Sequence, residues 1–378
     1  MLIVSHGAQG PPTARVLSHV RRGGVVMRED LVESTGLSAP TVSRAVTALV
    51  DARLVRLRPD MGRVGATGRP SIPLQLDSRS HAVIGIHVGL TRTTIARVDL
   101  RGRVLESAES ATPAGLDDLV ALLEDGIGVL RAHDRLIVSV AIVAAWTDLG
   151  LDRAALASRL GDGLGVVVAT ADHITAAAAA EHAVGSRGAG ATTAYVYARD
   201  TIGFAVVEEG ATGSMISRSS RLTHFPSGSQ VPCRCRAVGC LEATASDRAL
   251  GLRAYAEGLV EAPDVTSVHC AAAAGSVRAQ ALLVDRAATL GRAAAFVRDM
   301  VASDRVVLVG QGFTATDGTR ADVLRSFEQA TTLPPAEVSF GHHGSGLQAV
   351  AAGAIALLPL DEDPIGLISS LPPAACAR

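Results

Sequence analysis

Lysine is absent from the chain, and every one of its 35 basic residues is arginine. That bias reads as the imprint of a GC-rich coding sequence rather than as chemistry, so only the distribution of charge is informative. Long hydrophobic runs are also missing. The two longest apolar stretches, 136–146 and 347–360, fall short of the roughly 20 residues a membrane span needs, and Gln348 and Gly353 interrupt the second. The opening residues MLIVSHGAQGPPTAR have neither the basic n-region nor the apolar core of a signal peptide. With both features lacking, the expectation is a soluble, cytoplasmic protein with no membrane partner. Cysteine is scarce: five in 378 residues, an odd number, with Cys233, Cys235 and Cys240 close together and Cys270 and Cys376 apart. A clustered, odd count in a cytosolic chain points to metal binding before disulfides.

What is present suggests several units. A chain of 378 residues exceeds one typical domain, and 48% hydrophobic residues suffice for sizeable cores. The net charge of −2 conceals an asymmetry. Residues 1–70 hold ten Arg against five acidic residues, whereas the remaining 25 Arg face 32 acidic residues. A basic head on an acidic body is the footprint of a nucleic-acid-binding tip. Texture divides the chain in the same place. Residues 13–58 have helical periodicity, and 59–80 are rich in Gly, Pro and Arg. From 81 onward short β-branched strands alternate with Ala-rich helices, as in α/β layers. Strands are predicted at 82–89, 94–100, 103–107, 136–144 and 166–170, with helices near 115–131 and 173–184. After GSRGAGAT (185–192) a similar pattern restarts, with strands at 193–199 and 202–208 and then an irregular stretch. Helices near 241–256 and 277–302, a strand at 305–309, a helix near 319–330, a strand near 336–340 and a helix over about 345–358 complete it. Two halves that both open on a β-meander predict a two-lobed body with a cleft. The expected domains are 1–75, a first lobe at 76–190 completed by a C-terminal helix at about 345–360, and a second lobe at 191–344.

The head reads as a winged helix-turn-helix. Val16, Leu17 and Val20 give the stripe of a first helix. In REDLVESTGLSAPTVSRAVTALVDARLV, Gly36 ends one helix, because glycine takes positive φ at little cost. Ser38 caps the next, with Pro40 tolerated in its first turn. Val42, Ala45, Val46, Leu49 and Val50 follow helical spacing and form the packed side. The opposite side, with Ser38 and Pro40 at its start, shows Ala39, Thr41, Ser43, Arg44 and Thr47. These short or guanidinium side chains let a helix approach a major groove. Residues 54–57 and 72–76 predict a small hairpin whose tip, GRVGATGRP, offers Arg63 and Arg69 to a minor groove. A three-helix scaffold that binds a protein instead of DNA is the alternative.

The stretch from His224 to Cys240 reads H-x8-C-x-C-x4-C, four metal ligands in 17 residues. One imidazole and three thiolates (His224, Cys233, Cys235, Cys240) are the donor set of a closed tetrahedral Zn²⁺ site. A closed site has no position for an activated water, so the zinc expected here is structural.

Together these features resemble the ROK family (repressors, open reading frames, sugar kinases), and within it the N-acetylglucosamine and xylose repressors. The resemblance covers about 13–360 and implies a winged helix-turn-helix ahead of a two-lobed, actin-like (ribonuclease H-like) α/β kinase fold. Its most specific motif, H…C-x-C-G-x-x-G-C-x-E, stands here as His224…CRCRAVGCLE, with Arg236 replacing the first Gly. The family's zinc is structural and lies beside the sugar pocket. The departures fall on the catalytic motifs. The phosphate loop D-x-G-G-T stands here as His87-Val88-Gly89-Leu90-Thr91, so the metal-side Asp is missing. The second, G-x-G-I-G, is RDTIG (199–203), and the adenosine-side glycines are Gly310-Gln311-Gly312. The family's E-N-D maps onto Ala171-Asp172-His173, placing His173 where the catalytic base belongs. A one-residue gap would return Asp172 to that role. The sugar-binding Glu becomes Arg221 in RLTH, leaving His224 and Glu242 among the sugar contacts. The loop after 144 is short and lacks the family's Gly-Asn.

Loss of base and metal-orienting carboxylate removes what phosphoryl transfer needs, and no catalytic residue is assigned. The candidate effector pocket comprises His173, Arg221, His224 and Glu242. Either Arg221 offers a fork to a carboxylate or phosphate, or it pairs with Glu242 and seals an empty pocket. The expectation is a regulator that binds a pseudo-palindromic DNA operator as a homodimer or dimer of dimers, with a small-molecule effector unidentified. The alternatives are an active sugar kinase with a DNA-binding head, and a body that binds a protein.

Overall fold

The computed structural model describes residues 2–6, 10–61, 72–131, 135–185, 191–210, 213–314 and 317–372. The chain divides into two compact units. One comprises Ile3–Ala183, Gly210–Met215 and Gln348–Arg378; the other comprises Met1–Leu2, Val184–Glu209 and Ile216–Leu347.

In the first unit the head consists of helices Pro12–Gly23, Arg28–Thr35 and Ala39–Asp51 beside a three-stranded sheet. Its central strand Leu74–Leu76 pairs antiparallel with Val25–Val26 on one side and with Val55–Leu57 on the other. Val16, Leu17, Val20, Leu31, Val46, Leu49, Leu54, Leu74 and Leu76 are fully buried. The apolar spacing of the first helix is thus what seats it on its neighbours.

The same unit carries a five-stranded sheet in the order Val104–Ala111, Arg92–Asp99, His81–Val88, Leu136–Ala144, Val167–Ala171. The first two pairings are antiparallel and the last two parallel. Every residue of His81–Val88 is buried, as a strand covered on both faces must be. One face meets Leu119, Leu123, Ile127, Leu156 and Leu160 of helices Leu116–Arg131 and Arg153–Leu164. The latter helix forms where the sequence predicts a short loop. Asp152 caps it through the Ala154 and Ala155 N–H groups, and only Leu156 and Leu160 are buried, so its stripe is weak. On the sheet's other face Gly85 meets Ala352 and Gly353 of the helix Leu347–Glu362, and a Cβ at Gly85 would collide with their backbone. The Ser139 hydroxyl donates to Ala356 O of the same helix. The 344–362 segment is apolar and long enough to cross a membrane by length and composition, yet 56% of it is buried in protein, as befits a core helix. Beyond it, Pro364–Ser369 packs against the first and third helices of the head, and Arg21 forms an ion pair with Asp361.

In the second unit five strands of a six-stranded sheet repeat the strand order: Gly213–Arg221, Ile202–Gly210, Thr192–Ala198, Arg305–Val309, Glu337–Phe340. Thr192–Ala198 is antiparallel to Ile202–Gly210 and parallel to Arg305–Val309, which is parallel to Glu337–Phe340. The restarted meander predicted by the sequence is therefore present. Gly213–Arg221 extends it where an irregular stretch is predicted, because GSMISRSSR alternates too weakly to announce a strand. The 25-residue helix Val277–Val301 packs on Asp317–Ala330 at Gly291, where a Cβ would collide with Val323 O. The predicted 241–256 helix is two helices, Leu241–Ala245 and Asp247–Ala256, broken at Ser246, whose hydroxyl accepts from Ala249 N–H and caps the second.

Candidate nucleic-acid interface and metal centre

The helix Arg28–Thr35 ends at Gly36, whose φ of +63° is left-handed and whose N–H donates to Val32 O. Two residues later Ser38 accepts from Thr41 N–H at 3.4 Å and shares a 2.9 Å hydroxyl contact with Thr41 Oγ1, so the next helix starts at Ala39. Burial of Val42, Ala45, Val46 and Leu49 fixes its rotation. That rotation turns Ser38, Ala39, Pro40, Ser43, Arg44 and Thr47 to solvent; Thr41 is half-buried against its cap. The structure therefore gathers seven of the nine predicted DNA-facing residues along one side of one helix. Arg63 and Arg69 lie outside the described residues. On the wing strands, Arg56 and Arg58 both donate to Gln75 Oε1, and Arg58 also binds the Asp60 carboxylate. Their charge is therefore partly met within the head.

The four predicted metal ligands occupy a folded loop in the second unit. Bridges Pro226–Cys240 and Pro232–Val238 double the chain back on itself, with Cys233 N–H donating to Ala237 O at 2.8 Å. Gly239 has φ +75°, and a Cβ there would stand 2.5 Å from Ser229 O. Arg236 also has positive φ, +74°. It stands where the motif has its first glycine, a conformation costly to a residue with a Cβ. Ser227, Ser229 and Thr244 tie the loop together through hydroxyl contacts of 2.7–3.1 Å. Nothing in the ligand spacing announces that network.

The donor atoms of His224, Cys233, Cys235 and Cys240 all lie within 4.8 Å of one another. Cys233 Sγ is 3.8 Å from His224 Nδ1, and Cys235 Sγ is 3.5 Å from Cys240 Sγ. Zinc–sulfur bonds of about 2.3 Å in a tetrahedron require sulfur–sulfur edges of about 3.8 Å, so the donor set fits such an ion. Burial, followed by the neighbouring cysteines, pushes the Cys240 thiol up to about 12, while hydrogen bonds led by Ala237 N–H lower Cys235.

Arg221 and Glu242 meet directly: Arg221 Nη2 donates to Oε1 at 2.8 Å and reaches Oε2 at 3.2 Å. Of the two predicted arrangements for Arg221, the pairing with Glu242 is the one present. His224 lies in the four-donor cluster, its Nδ1 3.8 Å from Cys233 Sγ. His173 belongs to the other unit, where its ring stacks on His87 at 4.3 Å and its Nε2 is 3.3 Å from Val88 O. Asp172 accepts from Thr175 N–H at 2.8 Å and from Thr175 Oγ1 at 2.7 Å, so its carboxylate is engaged in capping the helix His173–Val184. In the second unit the loop after Thr192–Ala198 carries Arg199 and Asp200. Arg199 lies 3.6 Å from Asp247, which is buried with Arg286 in a second ion pair. Gly310 presses on this loop: its φ is +97°, and a Cβ would stand 2.6 Å from Ala198 O. The Arg199–Asp247–Arg286 group escapes sequence reading because its members are nearly 90 residues apart.

Residues 10–62 match the MarR family, and residues 83–360 match the ROK family. A transcriptional regulator of Mycobacterium bovis is 32% identical over 94% of this chain and 87% of its own length. An N-acetylmannosamine kinase of Citrobacter koseri is 29% identical over 71% of this chain and 97% of its own. Among solved structures, a ROK family transcriptional regulator homologous to the E. coli MLC protein superposes with a TM-score of 0.75 at 19% identity, covering 95% of this chain and 98% of that one. A ROK family glucokinase from Streptomyces griseus gives 0.62 at 20% identity, over 73% of this chain and 99% of that one. With the duplicated sheet order and a family match spanning most of the sequence, the chain belongs to the ROK family.

Proposed function

We propose that this ROK protein is a DNA-binding transcriptional regulator that reads a pseudo-palindromic operator as a homodimer or a dimer of dimers. The observation that carries the reading is the capped helix Ala39–Asp51, which turns Ala39, Pro40, Ser43, Arg44 and Thr47 to solvent from a packed three-helix head. The naming of its mycobacterial relative as a transcriptional regulator supports it. In mechanism, the short side chains admit the helix to the groove, Arg44 contacts a base edge or phosphate, and two heads related by symmetry address two half-sites. Arg63 and Arg69 are proposed to enter the minor groove beside it. Zn²⁺ held by His224, Cys233, Cys235 and Cys240 would supply structural cross-linking of their loop. The body acts as scaffold and, where an effector binds, as its sensor.

The likeness to kinases favours a second reading, an active sugar kinase with a DNA-binding head. Against it stand His87 at the position of the metal-side carboxylate, His173 at that of the base in the ungapped alignment, and Arg221 spent on Glu242. Footprinting on the protein's own upstream region tests the first reading. Arg44→Ala is expected to weaken specific binding by ~1–3 kcal/mol, with affinity falling steeply as salt rises. Binding that ignores salt, or that survives removal of residues 1–75, would refute it. Sugar-dependent ATP consumption across hexoses and amino sugars would establish the second.

A further inference from the structure

The four donors of the ligand loop differ in how far solvent reaches them. Cys240 is only 3% exposed and Cys233 is half-buried, whereas His224 and Cys235 are exposed. Cys240 is also fixed by its backbone. It bridges Pro226, the next residue's N–H donates to Phe225 O at 2.7 Å, and its carbonyl accepts from the N–H and the hydroxyl of Thr244. Cys235 stands instead in the turn that Arg236 N–H closes on Cys233 O at 2.9 Å. Residues 234–238 are all exposed, so this turn is the outer tip of the loop.

Metal ligation and nucleophilic attack call on the same form of cysteine, the thiolate. Access then decides which of the three sulfurs meets a reagent from solution, and it selects Cys235. Behind it stands a second sulfur in contact, since Cys235 Sγ and Cys240 Sγ are 3.5 Å apart. A disulfide bond is about 2.05 Å long, so the two sulfurs must approach by about 1.5 Å to be joined. The tip side chain can make that movement, while Cys240 is held by the bridge and the hydrogen bonds of its carbonyl. Exposed attacker and anchored second sulfur are the arrangement in which a first oxidation product is resolved to a disulfide.

We propose that Cys235 and Cys240 form an oxidation site, at which hydrogen peroxide converts the pair to a disulfide and the loop releases its metal. The Cys235 sulfur attacks one peroxide oxygen, the O–O bond breaks, and a sulfenic acid forms as hydroxide leaves. The Cys240 sulfur then attacks Cys235 Sγ; the S–S bond forms, the S–O bond breaks, and a second hydroxide leaves. In sum two thiolates, one peroxide and two protons from water give one disulfide and two waters. Two electrons pass from sulfur to oxygen, and the site gives up a divalent ion whose charge is unchanged. His224 and Cys233 remain, half of the donor set that a closed zinc site requires. The inference rests on the zinc reading above and assigns a reactivity to two of its ligands.

Peroxide titration of the full-length protein tests it. Zinc release is followed with a chromogenic chelator, and unreduced peptides are mapped by mass spectrometry. Release of about one zinc per chain is expected in step with a Cys235–Cys240 cross-link. A thiol reductant with added zinc should reverse both. Cys270, exposed on a separate helix, reports in the same digest whether the peroxide dose reaches an ordinary thiol. Cys235→His exchanges the outer sulfur for an imidazole that zinc also accepts. This variant is expected to release its metal about tenfold more slowly or worse, because its tip has no thiolate to oxidise. Zinc retained in the wild-type protein while Cys270 is oxidised would overturn the inference and leave the zinc reading standing. Release accompanied by a cross-link through Cys233, or by a sulfinic acid at Cys235 without a cross-link, would overturn the pairing. Protein that holds no metal when purified without chelator would remove the zinc reading, and the inference with it.

Discussion

The five-stranded sheet of the first unit and five strands of the six-stranded sheet share one strand order, but the chemistry at their strand ends is different. In the first unit, His81–Val88 ends in His87, which stacks on His173. In the second, Thr192–Ala198 ends at Arg199 and Asp200, joined to Asp247 and Arg286 by ion pairs and neighbouring charge. The second sheet has in addition the folded ligand loop of His224 to Cys240, for which the first has no counterpart among the described residues. Strand order rests on main-chain pairing and buried apolar faces, so it tolerates any residue at the strand tip. Tip residues answer instead to whatever approaches them. One architecture can therefore carry imidazoles in one half and a guanidinium–carboxylate group in the other.

The largest expected difference between the halves is in their dependence on metal. Cys235→Ser removes one of four ligands, so metal content is expected to fall from about one zinc per chain towards none, with stability lowered by at least ~2 kcal/mol. Hydrogen exchange locates the damage: protection should drop in the 192–340 half and persist in the sheet of His81–Ala171. Equal loss in both halves would mean that the cluster does not separate them, and protein purified without chelator yet free of metal would remove the zinc reading.

A smaller effect of opposite sign is expected from Arg236→Gly. Arg236 holds φ +74° in the ligand loop, and a left-handed conformation costs a residue with a Cβ roughly 1–2 kcal/mol. Glycine relieves it but adds unfolded-chain entropy, so a net gain of ~0.5–1 kcal/mol in denaturant unfolding is expected at unchanged metal content. A loss would show that the arginine side chain holds the loop by some other contact.

The smallest effect concerns pH, where one group in each half responds in the opposite sense to the other. Burial holds His81 below its ordinary 6.5, against the raising influence of the Arg53 carbonyl and Asp77. The unfolded chain then binds the extra proton first, so this histidine's contribution is complete above pH 6.5 and is lost as pH falls towards the folded value. Burial, with Asp247 nearby, raises Asp200 above 3.8. Its folded form keeps the proton longer, and stability declines as pH rises through that raised value. Thermal unfolding across pH is expected to show a shallower decline below pH 6.5 for His81→Gln, whereas Asp200→Asn should gain stability at neutral pH. His19 and His269 are also lowered by burial and share the wild-type slope, so the variants, not the wild type, carry the comparison.

Much of the head and the ligand cluster is legible in the chain because each rests on local spacing. Gly36, Ser38 and the stripe Val42, Ala45, Val46, Leu49 lie within 14 residues, and their roles follow from helix geometry. The four ligands lie within 17 residues on one loop. The strand Gly213–Arg221 and the helix Arg153–Leu164 were not legible, since neither has a strong apolar period. The choice between Asp172 and His173 depended on a single residue of alignment. In the fold Asp172 is occupied by the Thr175 cap, and His173 reaches the His87 ring.

The sequence by itself determined the kind of protein: a basic, capped helix-turn-helix head, a duplicated α/β body and a four-ligand cluster. Each is encoded by neighbours along the chain, where backbone geometry alone sets which side chains meet. Tertiary structure decided the rest. It gave Arg221 to Glu242, buried Asp247 between Arg199 and Arg286, tied the C-terminal segment to the head through Arg21 and Asp361, and left Phe296 and Met300 exposed on a helix otherwise committed to the core. These outcomes join residues from about 20 to more than 300 positions apart, and they depend on which faces the packed sheets and helices leave over once their apolar sides are covered.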